Sequence, residues 1–345
     1  MTVPEAILLA GDQFVLNRLF EAELAPGAWD VRTLELPWPH VPFGAVAEVD
    51  EASDVEDALI DALHGVKVCL TQMAPLTARV LAACPDLELF AVSRGGPVNA
   101  NLAAATEHGV AVTFAPGRNA ESTAEHTIGM ALAAMRRIPA AHGSIVAGRW
   151  ESGMFAYSET GLEIAGSTIG LVGYGAIGSR VAAVLRAMGA TVLVTDPYAD
   201  VESVPLDELL RRSSVVSLHA RLTDETRGII GERELALMPE GSVLVNCARG
   251  GLLDYSALAK ALTDGHLFAA AVDVYDEEPL PADHPLRDAP NVVMTPHLAG
   301  ASRAVAARAA RMVGVEAARW LAGEPPLHCA NPEVLSYQGS RRSRP

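Results

Sequence analysis

Short apolar runs alternate with helix-favouring stretches along most of this chain. Ala6 to Ala10, Val31 to Leu36, Val66 to Leu70, Leu87 to Val92 and Val110 to Phe114 read as strands. Phe14 to Glu23, Val55 to Leu63, Thr77 to Ala83 and Leu102 to His108 read as helices between them. Strands this uniformly apolar are buried on both faces, and the alternation predicts a parallel sheet flanked by helices. The segment LPWPHVPFGAVAEVDEASD, residues 36–54, interrupts the pattern. Its prolines forbid a regular helix or a central strand, so it reads as a long loop. Trp38, His40 and Phe43 within it suit surface packing or a subunit contact.

Asn119 to Ala147 is long, Ala-rich and helix-favouring, and the turn residues APGRN open it. It reads as a helix at a domain crossing, followed by a connecting loop from Trp150 to Gly166. Alternation then resumes. Strands are expected at Thr168 to Val172, Thr191 to Thr195, Val215 to Leu218, Val243 to Asn246, Phe268 to Val272 and Val292 to Met294. A last helix, Ser302 to Leu321, can carry the chain back to the first domain. No internal repeat at solenoid periods is visible.

The strand at Thr168 runs into Gly173, Gly175 and Gly178 in G-x-G-x-x-G spacing, then a helical pattern to Met188, then a strand ending in Asp196. Each part suits a dinucleotide. Gly173 allows a tight turn, Gly175 lets backbone approach a pyrophosphate, and Gly178 lets the helix pack close to the strand. The helix N-terminus offers free N–H groups to the phosphates. Asp196 can accept hydrogen bonds from ribose hydroxyls and would repel a 2′-phosphate, and no Arg or Lys follows it before Arg211. That favours NAD over NADP.

Three further motifs stand at or just past strand ends. They are VNCARGG with Arg249, AVDVYDEEP with Asp273 and Glu278, and MTPHLAG with His297. Singly, each has a plain alternative. Arg249 also suits a helix cap or a surface pair, Glu278 a solvated acidic run, and His297 an ordinary loop after a proline. As three strand ends behind one cofactor motif, they form a set suited to hydride transfer at a hydroxyl carbon. A guanidinium can hold a carboxylate in a bidentate grip, an imidazole can move the hydroxyl proton, and a carboxylate can fix and tune that imidazole.

Composition narrows the classes. A formal net charge of -16 over 345 residues argues against a nucleic-acid backbone as partner. The basic run RRSR at 341–344 reads as a frayed tail. Cys69, Cys84, Cys247 and Cys329 have no metal-ligand spacing, so no metal is expected, and reduced thiols suit a cytoplasmic location. The start MTVPEAILLA lacks a basic region, and no stretch approaches the roughly 20 apolar residues of a membrane helix.

The chain resembles the D-isomer-specific 2-hydroxyacid dehydrogenase family. The matching stretches are GYGAIG with Asp196, SLHARLTDETRGII, LVNCARGGLLD, AVDVYDEEP and TPHLAG, spread over most of 119–303. The resemblance implies two doubly wound α/β domains, a Rossmann NAD-binding domain over 117–302 inserted into a flavodoxin-like substrate domain of 1–116 and 303–345. It implies that Arg249, Glu278 and His297 are catalytic. The implied NAD contacts are Gly173, Tyr174, Gly175, Ala176, Ile177, Gly178, Asp196, His219, Cys247, Ala248, Arg249, Asp273 and His297. His219 reads as a packing or ribose-side residue rather than a second base. SRGGPVNANL lies where the family holds the substrate carboxylate on backbone amides, which makes Arg94, Gly95 and Gly96 candidates beside Arg249. Asn119, in NAEST, is either a substrate neighbour or a helix cap, and Arg118 is an extra cation. The implied activity is hydride transfer between NAD and C2 of a D-2-hydroxy or 2-oxo acid, in a homodimer. The alternative is an NADH-sensing binding protein of the corepressor type, without significant turnover. The motifs leave open which acid is used and whether it is phosphorylated.

Overall fold

A computed structural model describes residues 4–336 apart from His40 and Phe43. Those two loop residues and the basic run at 341–344 therefore lie outside the described residues. The elements follow in chain order: β1 (Glu5–Gly11), α1 (Asn17–Glu21), β2 (Trp29–Glu35), α2 (Glu56–Leu63), β3 (Val68–Thr71), α3 (Ala78–Ala83), β4 (Leu89–Val92), α4 (Leu102–His108) and β5 (Ala111–Phe114). Next come α5 (Ala120–Met135), α6 (Ile138–Val146), β6 (Thr168–Val172), α7 (Gly178–Ala187), β7 (Thr191–Thr195), α8 (Leu206–Arg212) and β8 (Val215–Leu218). The last are α9 (Glu232–Leu237), β9 (Ser242–Asn246), α10 (Tyr255–Thr263), β10 (Leu267–Val272), β11 (Val292–Met294) and α11 (Arg303–Leu321). The chain divides into two compact units, one holding the residues up to Asn119 and from Ser302 on, the other Ala120–Ala301.

The first unit is a five-stranded parallel sheet in the order β2-β1-β3-β4-β5. Alternate residues of each strand feed opposite faces. Ile7 and Leu9 of β1 pack with Ala310, Val313, Ala317 and Trp320 of α11. Leu8 and Ala10 pack with Leu59 and Leu63 of α2 and with Val80 and Leu81 of α3. Burial on both faces is why these strands read as unbroken apolar runs. Ser302 caps α11 by accepting from Val305 N–H at 3.2 Å. The edge strand β5 is not left open. Asn331 Oδ1 accepts from Val112 N–H at 2.9 Å, and Cys329 bridges Thr113. Covering an edge in this way removes a site for stray strand pairing.

The second unit is a six-stranded parallel sheet in the order β11-β10-β9-β8-β6-β7. In both sheets the strand order reverses beside the first strand of the unit. Ligands of open α/β sheets sit at that reversal, beyond the strand C-termini. Here that point lies between β6 and β8, where the glycine stretch leaves β6. Ala124, Met130, Ala131 and Ala134 of α5 cover one face, together with Val181 and Leu185 of α7. Leu209, Leu235, Leu258 and Leu262 of α8, α9 and α10 cover the other.

One expected element differs. The helix anticipated over Asn119 to Ala147 is two helices, α5 and α6, broken at Arg136 and Arg137. Arg137 takes a left-handed φ of 52°. The cause is Pro139 in the first turn of α6. Proline has no N–H and its ring clashes with the preceding turn, so a helix can begin at it but not run through it.

Candidate active site

The glycine stretch folds as its residue types require. Gly173 has φ 101°, and a Cβ there would stand 2.7 Å from the backbone of His219 and Ala220. A Cβ on Gly178 would meet the Gly173 carbonyl oxygen at 2.4 Å, so only glycine lets α7 start this close to β6. Beside Gly175 the space is open. The amides of Gly175, Ala176, Ile177 and Gly178 have no acceptor among the described residues. Four free donors at a helix start, next to an open glycine, fit the pyrophosphate of a dinucleotide. Asp196 closes β7 and braces the loop. Its Oδ2 accepts from Tyr174 N–H at 2.6 Å, and its Oδ1 accepts from Tyr198 and Ala199. Partial burial opposes its charge, but the three amides outweigh it and hold the carboxyl below its usual range. His219 sits behind the glycine turn with Ser217 Oγ 3.0 Å from its Nε2. Burial pulls its pKa down to about 4, which favours the neutral ring near pH 7.

Arg249, Glu278 and His297 come from the ends of β9, β10 and β11 and are brought together. His297 Nδ1 lies 2.9 Å from Glu278 Oε2. The other oxygen of Glu278 accepts from Tyr275 N–H at 3.0 Å, which sets the carboxylate plane. The hydrogen bond from Glu278 pushes the His297 pKa up from 6.5, against some desolvation. On Glu278 burial acts upward, yet the hydrogen bond and charge of His297 carry the net shift downward. Arg249 is in electrostatic reach of both. Its side chain is exposed and donates to the Ala248 carbonyl at 2.7 Å, leaving its other N–H groups unused among the described residues. Its loop is stiff, because Asn246 Nδ2 donates to the Arg249 carbonyl and Asn246 Oδ1 accepts from Ala248 N–H. Cys247 is buried there, its thiol pushed up to about 12.

Asp273 organises the histidine turn. It is fully buried. Its carboxylate accepts from the Thr295 hydroxyl at 2.6 Å, Leu298 N–H at 2.7 Å and Ala299 N–H at 2.8 Å. Its carbonyl accepts from His297 N–H at 2.8 Å. His297 itself has φ 54°, a left-handed conformation that a non-glycine residue holds only when its surroundings insist. Asp273 supplies that insistence. Sequence reading missed a second support, His126 on α5. Its Nε2 lies 3.2 Å from Thr295 Oγ1 and 3.5 Å from Asp273 Oδ1. Thr295 gives its hydroxyl proton to Asp273, so it accepts from His126 Nε2–H. Ser122, one helical turn earlier, donates to the Ala299 carbonyl at 3.0 Å. The i, i+4 spacing of Ser122 and His126 was the available signal, since it puts both on one helix face.

In the first unit, Arg94 is held by Glu51 through an ion pair and through the Glu51 carbonyl at 3.1 Å. The amides of Gly95 and Gly96 have no acceptor among the described residues, and open space lies beside both. The Asn119 side chain makes no capping hydrogen bond among the described residues. Nor do three or more His, Cys, Asp or Glu side chains group as a metal site among them. No helix among the described residues is long and apolar enough to cross a membrane.

Residues 128–299 match the sequence profile of the D-isomer specific 2-hydroxyacid dehydrogenase, NAD binding domain. A glyoxylate reductase of Korarchaeum cryptofilum is 35% identical over 298 residues, covering 84% of this chain and 90% of that protein. The chain belongs to the D-isomer specific 2-hydroxyacid dehydrogenase family. A D-3-phosphoglycerate dehydrogenase of Mycobacterium bovis is 40% identical over 277 residues, 78% of this chain. The chain spans about half of that relative's length, 52%. Among solved structures, the TT0316 protein of Thermus thermophilus superposes with a TM-score of 0.76 at 31% identity, over 94% of this chain and 99% of that one.

Proposed function

We propose that this family member transfers a hydride between NAD and C2 of a D-2-hydroxy acid or its 2-oxo acid. The observation that carries the proposal is the 2.9 Å pair between His297 Nδ1 and Glu278 Oε2, with Arg249 in electrostatic reach. Bound NADH supplies the hydride that reaches C2. With Nδ1 engaged by Glu278, Nε2 is the nitrogen of His297 that gives its proton to the substrate oxygen in reduction and takes it back in oxidation. Arg249 binds the substrate carboxylate and polarises its carbonyl with the donors that Ala248 leaves free. NADH oxidation measured against a panel of 2-oxo acids tests the reading. Turnover with at least one, lost on chemical removal of the 2-oxo group, is expected, and none with any member would refute it.

Asp196 sets the cofactor preference. Its carboxylate keeps acceptor capacity for ribose hydroxyls and repels a 2′-phosphate. A like-charge approach costs several kcal/mol, so NADH should exceed NADPH by roughly 100-fold in kcat/KM. Asp196→Ser should narrow that gap to within about tenfold by the same reasoning. Comparable efficiency with both cofactors in the unaltered protein would reject this role.

The second unit also presents large apolar side chains to solvent. Val146 on α6 is 72% exposed, and Trp150, Phe155 and Tyr157 beyond it are 83%, 83% and 98% exposed. Large apolar side chains this exposed, grouped along one stretch of chain, suit a protein contact. The chain is expected to sediment as a homodimer at micromolar concentration, and Trp150→Asp with Phe155→Asp should yield monomer. A monomeric unaltered protein would contradict this.

A further inference from the structure

Glu278 and His297 hold each other, but among the described residues Arg249 makes no hydrogen bond to either. Its distance from that pair is set by how its turn packs on theirs. Tyr255 stands between the turns. It opens α10 straight after the cap Asp254, whose Oδ1 accepts from Ala257 N–H at 2.9 Å. Its side chain is buried, with the residue 2% exposed. The phenol oxygen accepts from Asn246 Nδ2 at 3.2 Å and donates to the Val274 carbonyl at 2.5 Å. Asn246 Nδ2 has two protons, and the other goes to the Arg249 carbonyl at 3.0 Å. One unbroken chain of donors and acceptors thus runs from the backbone of Arg249 to the backbone that leads into Glu278. No amide donates to the Val274 carbonyl among the described residues, so the phenol is what satisfies it. Burial pushes the Tyr255 phenol far up, so the donated proton stays in place.

Other contacts press the same turns together. A Cβ on Gly250 would stand 1.7 Å from the Tyr275 carbonyl oxygen and 2.7 Å from the Asp276 nitrogen, so the chain beside Arg249 lies directly on the chain before Glu278. His284 packs edge-on against the Tyr255 ring, with centroids 5.9 Å apart. Its Nδ1 accepts from Leu286 N–H at 3.3 Å, so the ring proton sits on Nε2 and goes to Asp276 Oδ1, also at 3.3 Å. Tyr275 extends the link to the histidine turn. Its ring centroid lies 6.2 Å from that of Tyr255, and its hydroxyl donates to the Thr295 carbonyl at 3.0 Å, just before His297.

We propose that Tyr255 is a positioning residue for hydride transfer: its buried phenol, strung between Asn246 and Val274, sets the spacing of the Arg249 turn from the Glu278 turn, and so the line on which a substrate held by Arg249 meets His297. The proposal rests on the oxidoreductase reading above. Alignment matters on a small scale, since a misplacement of about 1 Å can lower a rate by about 100-fold.

The test is Tyr255→Phe, which keeps the ring against His284 and Tyr275 and removes only the oxygen. Leu258→Val is the comparison, because it thins the same helix and the same core without touching the chain of hydrogen bonds. A thermal melt measures what each costs the fold. kcat and KM are taken with NADH and whichever of glyoxylate, hydroxypyruvate and pyruvate the unaltered protein reduces fastest. Tyr255→Phe should lose roughly 10- to 100-fold, mostly in kcat and with NADH affinity unchanged, because substrate still binds but off line. Leu258→Val should keep kcat within about twofold. Unchanged kcat in Tyr255→Phe would overturn the role. So would an equal loss in Leu258→Val, which would make Tyr255 one core side chain among several. If the unaltered protein reduces no acid, the oxidoreductase reading falls separately. Hydrogen exchange then decides whether Tyr255 couples the turns. Faster exchange of the amides of both 248–252 and 275–278 in Tyr255→Phe, but not in Leu258→Val, supports it, and any other pattern overturns it.

Discussion

His297→Ala is expected to lower turnover by roughly 10²–10⁴-fold, the usual scale for removing a general acid–base group. The loss should fall on kcat in both directions, because Nε2 gives the proton in reduction and receives it in oxidation. NADH affinity should change little, since the glycine loop and Asp196 are built from β6, α7 and β7. Fluorescence titration with NADH and steady-state kinetics separate the two effects. A variant that keeps more than about a tenth of its turnover would place the proton elsewhere, since that loss is below the range for such groups.

Asp273→Asn is expected to cost about 2–4 kcal/mol of stability, because an amide matches only part of the acceptor set and leaves buried donors unsatisfied. The buried carboxylate serves Thr295, Leu298 and Ala299, and together these define the turn in which His297 holds φ 54°. Loosening that turn moves the imidazole off its line to Glu278. Turnover should therefore fall even where the variant remains folded. Denaturant unfolding gives the first effect and kcat the second. Unchanged stability with unchanged kcat would remove Asp273 as the organiser of the turn.

The parts of the molecule that follow from local chemistry were readable in the sequence. Strands buried on both faces announce themselves as unbroken apolar runs, as at residues 7–10 and 243–245. The glycines of the β6–α7 turn are fixed by positive φ and by backbone contact, so their spacing survives as a pattern. Features set by distant partners were not readable. Arg94 looked available beside Gly95, but Glu51, far away in the chain, takes its guanidinium. His126 was hidden within an Ala-rich helix, since nothing near it in sequence shows that Thr295 and Asp273 lie against it. The break at Arg137 was masked because Ala-rich composition continues past it, although Pro139 carried the cause. The left-handed backbone of His297 depends on Asp273, which is a tertiary contact.

The central claim is that Glu278 tunes His297 as the group that moves the proton. The most direct measurement is the pH dependence of the rate for unaltered protein and Glu278→Gln, in both directions, under conditions where chemistry limits. The Glu278 hydrogen bond raises the His297 pKa above 6.5. Reduction, which needs the imidazolium, should be fastest below that raised pKa and fall as pH rises through it. Oxidation, which needs the neutral ring, should rise over the same interval. Glu278→Gln removes the charge while keeping most of the shape, so both limbs should move to lower pH and reduction at neutral pH should suffer most. Profiles that coincide for the two proteins would contradict the account and leave Glu278 as one acid in a solvated loop.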